Sequence, residues 1–166
     1  MIHPIDITVV GGGLVGPAFA CMAADLGHRV TLIEHRADPR AAGYTGGRSI
    51  NLALSHRGLE ALQEIGLAST ARDIGIPMEG REIHSPEGQL SFQRYSAIPG
   101  EAILSISRGQ LNCLLLDAMD RRSTVKSIFN TAIESIDLDT ATVQLSDSQV
   151  IGGDLIIGAD GAGSMV

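Results

Sequence analysis

The first 34 residues carry two kinds of apolar pattern. Ile5 to Val10, IDITVV, is a short run rich in β-branched residues and reads as a strand. Gly11, Gly12 and Gly13 end it. Leu14, Val15, Ala18, Phe19, Met22, Ala23 and Leu26 then recur at helical spacing, which predicts a helix with that face inward and a stop at Gly27. Arg29 to Glu34, RVTLIE, reads as a second strand. A β-α-β unit with connections this short predicts parallel strands. Pro17 falls at about the fourth helical position, where its missing N–H begins to matter, so the helix start is expected to shift by a residue.

The polar, Gly-rich stretch from His35 to Arg48 reads as a loop, and Ser49 to Leu54 as a short strand. Ser55 is placed to cap a helix running to Ile65, with Leu59, Leu62 and Ile65 on one face, and Gly66 separates it from a second short helix ending near Arg72. EGREIHS and QLSFQRY read as two strands joined by the turn Ser85-Pro86-Glu87-Gly88. Glu101 to Ser107 reads as another strand. Ser107 then caps a helix from Arg108 to about Arg122, with Leu111, Leu114, Leu115, Ala118 and Met119 inward. Lys126 to Leu138, Thr142 to Leu145 and Val150 to Ile157 complete the strands. The last runs into Gly158-Ala159-Asp160-Gly161, a loop that should feed a helix. Only Ala162 to Val166 follow, so the chain is expected to be the front part of a longer protein.

Composition narrows the chemistry. A formal net charge of −7 argues against nucleic acid, whose phosphates need a basic surface. Twenty glycines supply tight turns, while 3% aromatic residues leave little for a base-stacking platform. Cys21 and Cys113 lie far apart and form no CxxC pair, so both read as buried thiols in a reducing, cytoplasmic setting. No apolar run approaches the ~20 residues that span a bilayer, and the first residues lack the features of a signal peptide. His3, His28, His35, His56 and His84 share no metal-ligand spacing, so no metal is expected, and nothing around Ser55 looks like a nucleophile elbow. Glu60 and Glu64 read as a solvated helix face.

The motif with chemistry in it is Gly11-x-Gly13-x-x-Gly16, set between a strand and a helix. Gly11 permits the tight turn, Gly13 lets the backbone approach a pyrophosphate, and Gly16 lets helix and strand pack closely. The helix N-terminus adds a partial positive charge facing the anion. Glu34 lies 18 residues after Gly16, at the end of the second strand, where a carboxylate accepts the hydroxyls of an adenosine ribose and repels a 2′-phosphate. The site is therefore expected to hold FAD or NAD rather than NADP.

A plain NAD-binding domain would continue with an immediate second β-α unit. Here a long loop leads to GRSINLALSHRG (Gly47 to Gly58), then a β-rich insertion, Ser107-Arg108 and the terminal Asp160-Gly161. This order resembles the flavoprotein aromatic hydroxylases, and GRSINLALSHRG resembles their kynurenine 3-monooxygenase branch. Ile76-Pro77-Met78, Arg81-Glu82-Ile83-His84-Ser85, Ile103 to Arg108, Leu111-Asn112 and Phe129-Asn130 agree with it. The resemblance implies an α/β fold: a Rossmann-like FAD-binding domain in three layers, β-β-α, with an inserted β-sheet substrate region. It divides the chain into an FAD-binding βαβ unit with its following helices (1–75), a β-rich substrate-side insertion (76–106), and a return to the FAD-binding domain (107–166).

The resemblance also implies roles by position. Val15, Glu34, Arg36 and Ala53 match positions along the adenosine and flavin sides of FAD, and Arg108 matches an arginine that contacts it. Ile133 and Met165 fall on FAD-contacting positions, although Met165 replaces a smaller polar residue. Asp160 matches the Asp-Gly motif near the cofactor pyrophosphate. Arg81 and Tyr95 match the pair that holds the substrate's amino-acid carboxylate, a fork plus one donor. Read from the residues alone, they sit on neighbouring strands of one hairpin, which permits convergence without requiring it; a surface arginine beside a half-buried tyrosine is the reading the residues alone favour, and the resemblance reverses that preference. Ile103 matches the aromatic pocket, though an inward strand isoleucine is ordinarily core.

The implied activity is an FAD-dependent, NADPH-consuming monooxygenase that hydroxylates L-kynurenine to 3-hydroxykynurenine through a flavin C4a-hydroperoxide, with O2 as co-substrate. No protein side chain is expected to act as nucleophile or general base. Two alternatives stay open: an aromatic hydroxylase with a different ring substrate, and a dinucleotide-binding module without turnover. The front part alone is expected to be inactive.

Overall fold

The computed structural model describes residues 3–42, 51–98 and 100–166. In chain order the elements begin with β1 (Asp6–Val10), α1 (Val15–Asp25), β2 (Arg29–Ile33), α2 (Pro39–Ala42), β3 (Asn51–Leu54), α3 (His56–Glu64) and α4 (Ala68–Ile74). Then come β4 (Ile76–Met78), β5 (Gly80–His84), β6 (Leu90–Arg94), β7 (Ile103–Ser107) and α5 (Arg108–Asp120). β8 (Val125–Ile128), β9 (Ile133–Asp137), β10 (Thr142–Leu145), β11 (Val150–Gly152) and β12 (Leu155–Gly158) complete the chain. The contacts divide it into two compact units, Met1–Gly47 with Leu111–Val166, and Arg48–Gln110.

The first unit is built on a parallel sheet of order β12-β1-β2-β8. A parallel strand covered on both faces needs apolar residues at nearly every position, and β1 and β2 supply them: Val9, Val30, Leu32 and Ile33 are buried. Leu32 and Ile33 are consecutive, so they face opposite sides of the sheet. Leu32 lies beneath Gly16 of α1. Ile33 joins Val143 and Leu145 in a core cluster on the other side, with Ile128, Ile133, Ile136, Ile151 and Ile156 packed against it. That cluster seats the antiparallel sheet β11-β10-β9 against the parallel one. Helix, parallel sheet and antiparallel sheet make the three layers the sequence leads one to expect.

Three expectations need correction here. The buried stripe of α1 is Gly16, Pro17, Ala20, Cys21 and Ala23, whereas Val15 and Leu26 are exposed. Small residues let the helix approach the sheet closely, and that outweighs the larger apolar side chains. The single strand expected over Lys126–Leu138 is two strands in different sheets, parted where Asn130 turns the chain at φ 56°. Asn tolerates that left-handed conformation better than most residues. The strand expected over Val150–Ile157 likewise divides between β11 and β12, where a Cβ on Gly153 would meet the Asp6 carbonyl oxygen at 2.9 Å.

Smaller differences follow the same logic. The expected loop after β2 contains the one-turn helix α2, whose Arg40 N–H is bound by the Asp38 carboxylate. In α5, Leu116 and Asn112 are buried along with Leu111, Leu115, Ala118 and Met119, while Leu114 is only partly buried. So is Cys113, expected to be buried like Cys21, because it sits at the edge of the inward face. Gly47 to Ile50, including the start of the expected Ser49 strand, lie outside the described residues.

The second unit holds the antiparallel sheet β3-β7-β4 and the separate hairpin β5-β6. β4 was not foreseen; it pairs Ile76 with Ser105 and Met78 with Ile103. The hairpin turn forms as expected, with the Gly88 N–H donating to the Ser85 carbonyl and Gly88 at φ 81°. Ser55 has the extended backbone of an N-cap but its hydroxyl makes no capping bond.

Candidate functional site

The site of the first unit begins where β1 ends. β1 lies between β2 and β12, and the turn that leaves it meets the loop after β12 at the strands' carboxyl ends, the end of an open α/β sheet where ligands bind. Gly11 turns the chain there at φ 108°, and its N–H donates to the Ile33 carbonyl at 2.8 Å. A Cβ at Gly11 would lie 2.5 Å from the Ala159 carbonyl oxygen and 2.7 Å from the Asp160 nitrogen, so only glycine fits against the loop that follows β12. A Cβ at Gly16 would collide with the Gly11 carbonyl. A Cβ at Gly13 would meet nothing within 4 Å; this glycine faces open space.

α1 starts at that open side without a side-chain cap and without an acidic residue in its first turn. Pro17 is the third helical residue, inside the turn whose N–H groups have no intrahelical acceptor, so it costs no hydrogen bond. The helix accordingly begins at Val15, one residue after Leu14, the shift the sequence leads one to expect.

Glu34 lies just past β2, only 3% exposed, and reaches back under the turn. Its Oε2 accepts the Gly12 N–H at 2.7 Å, and its Oε1 accepts the Arg36 N–H at 2.8 Å. The Arg36 guanidinium forks across both oxygens at 2.9 and 3.1 Å, and His35 Nδ1 stands 3.1 Å from Oε1. Burial pushes this carboxyl upward, but the Arg36 guanidinium and the two backbone N–H groups outweigh it and hold its pKa down at about 2.

Gly11, Ile133, Asp160 and Met165 line one cavity of about 230 Å³ together with Ile33, His35 and Thr131. Val15 and Arg36 are not among its lining residues, and Val15 is exposed at the first position of α1. The Asp160 carboxylate folds back on its own loop, accepting from the Ser164 hydroxyl at 2.5 Å and the Met165 N–H at 2.9 Å. Burial raises its pKa, and these bonds bring it below the ordinary value. Sequence reasoning missed Asn112: its side-chain amide donates to the carbonyls of Gly12 and Gly13 at 3.0 and 2.8 Å. Its traces in the sequence are the agreement of Leu111-Asn112 with the family and a polar residue on the apolar face of α5, neither of which gives it a partner.

In the second unit, Ala53 is exposed on β3 opposite Ser105, and Arg108 is exposed at the first residue of α5. Tyr95 and Ile103 line a cavity of about 730 Å³ with Arg57, Arg72 and Glu101. Arg81 is not among its lining residues. Arg81 pairs with Gln93 across the hairpin, and its guanidinium donates twice to the Gln93 side-chain oxygen, at 2.9 and 2.6 Å. Tyr95 lies two residues past Gln93.

A family model described as the FAD binding domain matches residues 4–166. The chain belongs to the FAD-binding domain family. It is 43% identical over 161 residues to the kynurenine 3-monooxygenase of Dictyostelium discoideum, which covers 96% of this chain and 35% of that protein. It is 40% identical over 169 residues to the kynurenine 3-monooxygenase of Anopheles gambiae, with 99% and 35% covered. The chain thus spans about a third of the length of these curated relatives. Among solved structures, P. aeruginosa PqsL in complex with 2-aminobenzoylacetate superposes with a TM-score of 0.78 at 26% identity, covering 98% of this chain and 44% of that one. The tetrameric form of 2-methyl-3-hydroxypyridine-5-carboxylic acid oxygenase superposes at 0.82 with 24% identity, covering 99% and 42%, a likeness of fold alone.

The residues of this FAD-binding domain fit the group the family is named for. A pyrophosphate needs backbone N–H donors with no side chain in front of them, and Gly13 together with the uncapped start of α1 provides that. Among the described residues no helix is long and apolar enough to cross a membrane.

Proposed function

We propose that this FAD-binding domain belongs to an FAD-dependent aromatic monooxygenase that hydroxylates L-kynurenine to 3-hydroxykynurenine, using NADPH and O2. The observation that carries the reading is the glycine turn at the carboxyl end of β1, open at Gly13 and closed at Gly11, Gly12 and Gly16. The match to kynurenine 3-monooxygenases along nearly the whole chain supports the substrate. So does the ligand of PqsL: 2-aminobenzoylacetate carries the same 2-aminobenzoyl ring as kynurenine.

Bound FAD supplies electron transfer and oxygen activation. The domain's own residues bind and orient. The turn and the start of α1 hold the pyrophosphate, with Gly11, Gly13, Val15 and Gly16 as its backbone. Glu34 and Arg36 face the adenosine ribose, and the fork from Arg36 keeps Glu34 ionised, which disfavours a 2′-phosphate and leaves NADPH to act as a transient donor elsewhere. Ala53, Arg108, Ile133, Asp160 and Met165 contact the rest of the cofactor. Arg81 and Tyr95 hold the substrate carboxylate, and Ile103 packs against its ring. Two free thiols, Cys21 and Cys113, fit a cytoplasmic setting.

In the full-length enzyme, kynurenine is expected to accelerate reduction of bound flavin by NADPH at least about tenfold. Arg81→Ala should remove that acceleration while the flavin stays bound. No acceleration by kynurenine would end this reading. One observation favours a second: Arg81 is engaged by Gln93 and is absent from the cavity that Tyr95 lines. A hydroxylase for another ring substrate would respond to an aminobenzoyl acid such as 2-aminobenzoylacetate and ignore kynurenine.

A further inference from the structure

We propose that Asn112 is a positioning residue of the dinucleotide site: its amide sets the two peptides whose N–H groups are presented to the pyrophosphate. The inference rests on the dinucleotide reading above and deepens it.

Asn112 is 5% exposed, on the inward face of α5, a hundred residues from the turn it touches. Its one nitrogen carries two hydrogens. One goes to the Gly12 carbonyl at 3.0 Å and the other to the Gly13 carbonyl at 2.8 Å. In a planar trans peptide the C=O and the next residue's N–H point in opposite directions. Drawing the Gly12 carbonyl toward Asn112 therefore turns the Gly13 N–H away from it. Drawing in the Gly13 carbonyl turns the Leu14 N–H away in the same manner. Among the described residues neither N–H meets an acceptor.

The remaining N–H groups of the turn are already committed. Gly11 donates to Ile33, and Gly12 donates to Glu34. Glu34 and Asn112 therefore grip Gly12 by its two ends, nitrogen and oxygen. What is left is a pair of consecutive donors, Gly13 and Leu14, on the side where a Cβ of Gly13 would find only open space. Two such N–H groups at a helix start are donors placed for an anion. A single carboxamide does this because it supplies two donors from one atom. Aspartate has the same size and supplies none, and leucine has similar bulk and supplies none.

The test compares two probes on the full chain freed of flavin: ADP, which has the pyrophosphate, and adenosine, which lacks it. Asn112→Leu is expected to weaken ADP binding about tenfold or more, measured by calorimetry, while adenosine affinity stays within about twofold. Asn112→Asp, closest in shape, should show the same split, and it carries the test if the leucine variant does not fold. Thermal melts of the flavin-free variants identify those that fold. Equal weakening of ADP and adenosine would mean that Asn112 only supports the fold, and unchanged ADP binding would mean that the turn orients itself; either overturns the proposal. A wild-type chain that binds neither probe would bring down the dinucleotide reading itself, and this inference with it.

Discussion

β1 and β2 are sealed on both faces, while the β5-β6 hairpin is exposed on both. Each forms from an obvious local pattern, yet the two are held differently. Around β1 the constraint is steric: glycines stand where any Cβ would strike backbone, and a carboxylate and an amide clasp the turn between them. In the hairpin the constraint is mainly the ladder itself, with Leu90 and Phe92 each 60% exposed. Glycine therefore means different things in the two places. Gly16 is demanded by a neighbour, whereas Gly88 is demanded only by its own φ of 81°.

The largest expected effect tests that contrast directly. Gly16→Val places carbon against the Gly11 carbonyl, which is backbone and cannot swing aside. It should cost at least about 4 kcal/mol in denaturant unfolding and abolish dinucleotide binding. Gly88→Ala has nothing within 4 Å to strike, so it should cost only the left-handed strain, about 1 kcal/mol. Similar losses at both positions would erase the distinction.

The same contrast explains what was legible in the sequence. The βαβ unit announces itself because its strands, glycines and Glu34 are all local. The buried face of α1 differs from the periodicity, Ala23 apart, because hydrophobicity marks Val15 and Leu26, while close approach selects Gly16, Ala20 and Cys21, and nothing in a periodicity weighs size. The strands around Asn130 and Gly153 ran together because their ends are set by which sheet each joins, a long-range fact. Asn112 escaped for the same reason: its partners lie a hundred residues away. Arg81 and Tyr95 show the converse limit. A hairpin puts them near each other in sequence terms, but only side-chain geometry reveals that Gln93 holds the guanidinium.

A second, smaller effect sharpens the account of the clasp. Glu34 has its pKa lowered from 4.5 to about 2, so it binds its proton less readily folded than unfolded. Its contribution is present in full above the unfolded value and is lost as pH falls from about 4.5 through about 2. That pH-dependent part amounts to about 3 kcal/mol. Wild type should exceed Glu34→Gln in stability by a constant margin from neutrality to pH ~5, and the margin should shrink by that amount as pH drops to ~2. Urea unfolding midpoints across the range read this out. A margin independent of pH would mean the carboxylate is held by shape rather than by charge.

The smallest effect belongs to the hairpin. Phe92 is mostly in solvent, yet its ring is not idle: a Cβ on Gly80 would lie 2.6 Å from Phe92 Cζ, so the ring covers the face of the opposite strand where Gly80 has no side chain. Ring over glycine buries little area, and removing it leaves no cavity because solvent fills the space. Phe92→Ala should therefore cost less than about 1 kcal/mol in thermal unfolding of this chain, against about 3 kcal/mol for Leu32→Ala in the sealed sheet. A loss at Phe92 as large as that at Leu32 would contradict the exposed hairpin. It would mean that the ring is packed as a core residue, and that the hairpin's apolar residues are half of an interface rather than the trimming of a free ribbon.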